Sequence, residues 1–155
     1  MDYLASMILH DYPRATGPPV DIMTIVRQEG VWVYSIPFRD GRLAGAFKWV
    51  QPTGCKPCPV IVVNKRHSWK RQRFTIAHEF YHYLNDLPHA EAKLSYKPGS
   101  PAPERQASKF AAALLMPKDI VTKMMQDNLT VAEIANTLAV SKTALEIRLK
   151  ELKLT

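Results

Sequence analysis

His78-Glu79-Phe80-Tyr81-His82 lies inside residues 68–84, where Phe74, Ala77, Phe80, Tyr81 and Leu84 recur at helical spacing on a broad apolar face. The spacing predicts a buried helix. Two imidazoles four residues apart on such a helix differ by about 40° of rotation and about 6 Å of rise, so they share one face. Neutral imidazole nitrogens suit Zn²⁺ at about 2.0–2.1 Å, and this spacing lets both rings reach one ion while Glu79 reaches the water it activates. The plainer alternative is a helix carrying two hydrogen-bonded histidines beside a surface glutamate. Ionisable side chains on a buried helix need partners, which a metal supplies.

A catalytic zinc takes three protein ligands and keeps one position open, so a third donor is required. Asp86 lies one further turn along the same helix, about 12 Å from His78 in rise, too far for a short carboxylate to share the ion. The metzincin pattern needs Gly and His where this chain has Asn85 and Pro88, which excludes that class. His89 and Glu91 stand as alternatives at the start of a Pro-punctuated loop. Glu104 is the stronger choice, because rigid elements hold metal sites better than loops do. It opens a predicted helix, 104–115, whose stripe of Ala107, Phe110, Ala111 and Leu114 allows close packing on the His78 helix before Pro117 ends it. A carboxylate at a helix N-terminus also has an ordinary explanation in the macrodipole.

Outward from this centre the chain reads as α+β. Residues 1–11 form a short helix, and Asp21 caps a second that runs to Glu29 and stops at Gly30. The β-rich runs 31–37, 43–50 and 60–64, with a turn at Arg39-Asp40-Gly41, predict a small three-stranded, mainly antiparallel sheet packed on helices. Residues 85–103 carry Pro88, Pro98, Gly99, Pro101 and Pro103 and read as a long loop. Near the C-terminus, Thr130 and Glu133 form a capping-box pattern, Ala139-Val140 makes a turn, and Ser141 caps a last helix. On that helix Leu145, Leu149 and Leu152 face inward, whereas Lys142, Glu146, Lys150 and Lys153 face solvent. The expected organisation is a zincin-like domain over 1–128 with a helix-turn-helix-like segment, 129–155, packed on it.

The 155 residues suffice for one core, and 46% apolar with 23% charged residues is the balance of a globular chain rather than a disordered one. No transmembrane run exists, and the first ten residues lack the basic start of a secretory signal, so a cytoplasmic location is expected. Cys55 and Cys58, the only cysteines, sit beside Pro and Gly in a turn and read as an incidental pair, since structural zinc needs two more ligands. The net charge of +7 is concentrated in Lys65, Arg66, Lys70, Arg71 and Arg73, which lie within a stretch of nine residues without an acid and form either a solvated helix entry or a substrate-facing rim.

Residues 71–82, together with Glu104-Arg105-Gln106-Ala107-Ser108-Lys109-Phe110-Ala111 and onward to Pro117, resemble the ImmA/IrrE family of metallo-endopeptidases. The likeness extends over roughly residues 20–155. It implies a zinc enzyme with His78, His82 and Glu104 as ligands and Glu79 as general base. This chain has Ala107-Ser108 where the family has Ala-Asn, and Tyr81 where the family has Gly before the second histidine; neither departure removes a ligand. Tyr81, Tyr83, His89 and Tyr96 are the candidates for stabilising an oxyanion. The resemblance further implies an intracellular, site-specific protease that inactivates a helix-turn-helix repressor or antitoxin. The rival class is a DNA-binding regulator with a vestigial metal site. It is disfavoured because residues 129–155 carry four cations against three acids, and only Arg148 is placed to reach base edges.

Overall fold

The computed structural model describes residues 1–86 and 102–155, and the chain in it is α+β. Helix α1 (Asp2–Asp11) and a one-turn 3-10 helix (Pro13–Ala15) precede α2 (Ile22–Gln28). The Asp21 carboxylate accepts from the Thr24 N–H at 3.1 Å and so caps α2 as its sequence predicts. Gly30, at φ +81°, ends it. The Gly30 N–H bonds to the Arg27 carbonyl and the Val31 N–H to the Val26 carbonyl, a pair of bonds that needs a left-handed residue between them.

Strands β1 (Trp32–Ile36), β2 (Gly45–Val50) and β3 (Cys58–Asn64) form one sheet in the order β1-β3-β2. β2 runs antiparallel to β3 with Gly45 opposite Val63, whereas β1 runs parallel to β3 with Trp32 opposite Val60. The sheet is therefore mixed rather than mainly antiparallel. β3 inserts between the two strands that precede it, so β1 and β2 are not hairpin partners and β1 meets a strand of its own direction. Val33, Phe47 and Ile61 share one row and face the core, while Trp32, Tyr34 and Ile36 stand exposed on the opposite face.

Helix α3 (Trp69–Asp86) lies on the inward face of the sheet. It lies tight against Gly45, where an added Cβ would sit 2.6 Å from Thr75 Cγ2 and 2.6 Å from the Val62 carbonyl oxygen. Helix α4 (Ala102–Leu115) packs along α3, and the fully buried Ala107 and Ala111 keep the two backbones close. Phe110 contacts Tyr81 and Phe80 with ring centroids 5.5 and 6.3 Å apart. Asn85 and Asp86 thus finish α3, and Ala102 and Pro103 begin α4, four residues that the proline pattern assigns to a loop. His89, Glu91 and Tyr96 fall outside the described residues.

Helices α5 (Lys118–Gln126), α6 (Val131–Thr137) and α7 (Lys142–Glu151) complete the chain. The Thr130–Glu133 capping box is formed, Ala139 turns at φ 55°, and Ser141 accepts from the Ala144 N–H at 3.1 Å. Leu145 and Leu149 are buried in the core that begins at Ala5 of α1, so the last helix shares it. Arg148 corrects the sequence reading. Instead of facing solvent it is 3% exposed, donates from Nε to the Met116 carbonyl at 3.2 Å, and pairs with the Asp2 carboxylate. Among the described residues no helix is long and apolar enough to cross a membrane.

Candidate metal centre

α3 presents His78 and His82 on one face, one turn apart, and the first turn of α4 presents Glu104 opposite them. His78 Nε2 is 3.0 Å from Glu104 Oε2, His82 Nε2 is 3.1 Å from Glu104 Oε1, and the two imidazole Nε2 atoms are 3.4 Å apart. A tetrahedron of ligands about 2.0–2.1 Å from its centre has edges of about 3.3 Å, close to the separation of the two Nε2 atoms, while the two rings approach different oxygens of the Glu104 carboxylate. Two imidazoles aimed at one carboxylate and at each other form a donor set that a divalent cation satisfies. Among the described residues this is the only group of three or more His, Cys, Asp or Glu side chains arranged to hold a metal ion. Glu104 is 65% exposed, against 16% for His78 and 25% for His82, so the centre opens to solvent on the α4 side.

Ser108 adds what the sequence reading overlooked. Its hydroxyl lies 3.2 Å from His78 Nδ1, the nitrogen turned away from Glu104, and so fixes the ring with Nε2 toward the centre. The signal for it was present, since Ser108 stands four residues after Glu104 and therefore on the same face of α4. Burial makes protonation of His82 harder and pushes its pKa down. The Glu104 carboxylate opposes that shift and neighbouring His78 adds to it. The neutral ring that results is the form that ligates.

Glu79 points from α3 toward β2, where it takes a backbone hydrogen bond from Phe47. Burial, reinforced by the Glu104 carboxylate and offset in part by Phe47, pushes its pKa up to about 7. A carboxylate tuned this way takes up and releases a proton near neutral pH.

The remaining candidates lie elsewhere or do other work. Asp86 accepts from Trp49 Nε1 at 2.8 Å and belongs to the strand side of the cleft. The Tyr83 hydroxyl donates to the Glu29 carbonyl at 3.2 Å, at the end of α2, while the Tyr81 hydroxyl donates to Gln106 Oε1 at 2.9 Å, two residues from Glu104. Cys55 and Cys58 are free thiols in the turn before β3 and at its start.

No curated protein matches the sequence. The family described as the IrrE N-terminal-like domain, peptidase family M78, matches residues 26–150, a span that contains α3, α4 and all three candidate ligands. The chain therefore belongs to the IrrE N-terminal-like family of metallopeptidases.

Proposed function

We propose that the protein is a zinc-dependent, site-specific endopeptidase of the cytoplasm that cleaves a helix-turn-helix repressor or antitoxin, with His78, His82 and Glu104 as ligands and Glu79 as general base. The observation that carries this reading is the convergence of one donor atom from each of His78, His82 and Glu104 to within 4.8 Å of one another, two imidazoles and a carboxylate that suit a zinc ion. Zinc, when bound, lowers the pKa of a water to about 7 and polarises the scissile carbonyl. The Glu79 carboxylate takes the proton from the attacking water and returns it to the leaving nitrogen. Ser108 keeps His78 oriented through the cycle, and Phe47 of β2 holds Glu79 on the strand side of the site. An opening at the surface rather than a deep pocket suits an exposed linker in a folded partner.

The test is to mix the zinc-loaded protein with the repressor encoded beside it and to follow the mixture by intact mass. One pair of complementary fragments is expected, absent with Glu79→Gln. A repressor left whole by fully metallated wild-type protein would sink the substrate assignment.

A further inference from the structure

On the His78 side the metal centre opens into a groove of about 780 Å³ between α3, α4 and α7. Its floor is apolar. Phe74, Ala144 and Ile147 contribute, and Ile147 is 55% exposed on a helix whose Leu145 and Leu149 are buried. Its walls are basic, formed by Lys70, Arg71, Arg105 and Lys109. The only two acids among its lining residues are already engaged: Glu104 faces the two histidines, and Glu151 lies 3.7 Å from the buried Arg148. Among the described residues none of the four cations has a carboxylate within ion-pair distance. Among the described residues the groove thus carries positive charge without a paired carboxylate around an apolar floor, and the candidate metal ligands His78 and Glu104 form part of its lining.

We propose that this groove docks an acidic, apolar segment of the protein substrate beside the scissile bond. The inference rests on the peptidase reading and specifies its substrate class. Charge complementarity selects the acidic residues, and the floor of Phe74 and Ile147 selects apolar ones among them. A groove of this volume encloses a few side chains, since ligand pockets run to about 300–1,000 Å³. Duplex DNA shares the negative charge but makes no use of an apolar floor. With Arg148 inside the core, residues 129–155 offer Lys142, Lys150 and Lys153 against Glu133, Glu146 and Glu151, a net charge of zero toward a phosphate backbone. The same enclosure gives α7 a role in recognition, because it supplies one whole side of the groove.

The test measures binding without hydrolysis, on the full-length zinc-loaded Glu79→Gln protein at physiological salt. Three labelled twenty-residue peptides serve as probes: one mixing Glu with Leu and Phe, one with every Glu replaced by Lys, and one with every apolar residue replaced by Ser. A labelled duplex DNA is the fourth probe. The acidic, apolar peptide is expected to bind at least tenfold tighter than the others, and R71E combined with K109E is expected to cost at least tenfold of that affinity. Ile147→Ser, an exposed change that keeps the fold, is expected to weaken the same peptide several-fold, while K150E outside the groove leaves it unchanged. Equal affinity for the three peptides, or tight binding indifferent to Arg71, Lys109 and Ile147, overturns the proposal. So does duplex DNA that binds tighter than the peptide and is lost with the same substitutions. Because no cleavage is read, a failure here leaves the peptidase reading standing, and a failure of cleavage leaves this one standing.

Discussion

On the His82 side the centre meets a cleft of about 320 Å³ walled by Phe47 and Trp49 of β2 and by Tyr81, Asn85 and Asp86 of α3, whereas on the His78 side it meets the wider basic groove against α7. The strand side is aromatic and tightly braced. Phe47, Trp49 and Tyr83 stand within about 6 Å of one another, and Trp49 donates to Asp86. The helix side is lined by long cations with a partly exposed floor. One wall is built for position and the other for charge. The strand wall also holds the general-base candidate, through Phe47, so that orientation of the proton carrier depends on the edge of the sheet. The helix wall touches only His78 and Glu104, and a change there is expected to alter what binds before it alters what reacts.

The largest expected effect lies at the point where the two sides meet. Glu104→Ala removes one of three donors, and metal content by mass spectrometry is expected to fall from one zinc per chain to near zero. Asp86→Ala, on the strand wall, is expected to keep the zinc. Loss of metal in Asp86→Ala with retention in Glu104→Ala would break the ligand assignment.

Glu79→Gln separates holding the metal from using it. The amide keeps the volume of the side chain but cannot take up the water's proton. Zinc content and fold are expected to persist while cleavage of the repressor falls by about two to four orders of magnitude, the range that removal of a general base costs. Near-normal turnover would take Glu79 out of the mechanism and leave the strand wall without a chemical role.

Ser108→Ala probes the helix side without touching a ligand. Without the hydroxyl 3.2 Å from Nδ1, His78 has an unfixed ring, and zinc affinity in a competition titration is expected to fall by about 10- to 100-fold. An unchanged affinity would show that packing alone orients the ring.

The contrast between the walls also separates features that are legible in the amino-acid sequence from features that are not. His78 and His82 follow from periodicity, because residues three or four apart on a helix share a face whatever surrounds them, and Ser108 was open to the same argument from Glu104. Asp21, Thr130 and Ser141 were equally legible, since a cap acts on the backbone three residues away. The strand order was not. Whether β1 pairs with β2 or with β3 depends on where β3 inserts, and alternation of apolar residues carries no information on that. Arg148 is a different case: three residues after Leu145 and four before Leu152 it stands on the inward face, its charge argued for solvent, and the partners that let it be buried, Asp2 and the Met116 carbonyl, come from far along the chain. Gly45 belongs with these non-local features, being an ordinary strand glycine until α3 is laid across it.

Gly45→Ala tests how tight the strand wall is. The new Cβ meets Thr75 Cγ2 and the Val62 carbonyl oxygen, both at 2.6 Å, and the second is backbone that cannot swing aside. A destabilisation of about 1–3 kcal/mol is expected, the usual cost of overpacking. In thermal unfolding that is a drop of about 3–10 °C for a chain of this size. A change at the exposed Ile147 of the groove, Ile147→Ser, is expected to leave the midpoint nearly unmoved.

The smallest effect belongs to the anchor behind the helix wall, where Arg148 of α7 pairs with Asp2 of α1. The hydrogen bond and charge of Arg148 hold the Asp2 carboxyl below its ordinary pKa, against a partial desolvation that raises it. A carboxylate whose folded pKa is depressed stabilises the fold fully above its unfolded value, about 3.9, and that contribution is lost as pH falls through the lower folded value. Asp2 is about half exposed, so solvent screening limits the gain to under about 1 kcal/mol. In the metal-free protein, Asp2→Asn is therefore expected to lower the urea midpoint slightly at pH 7 and to converge with wild type as pH falls below the depressed folded value. Convergence is the informative result, because it ties the difference to ionisation of this one carboxyl. A gap that stays constant down to low pH would mean that Asp2 acts through helix α1 itself rather than through Arg148, and α7 would then be held to the body of the protein by Leu145, Leu149 and the Met116 carbonyl without help from the ion pair.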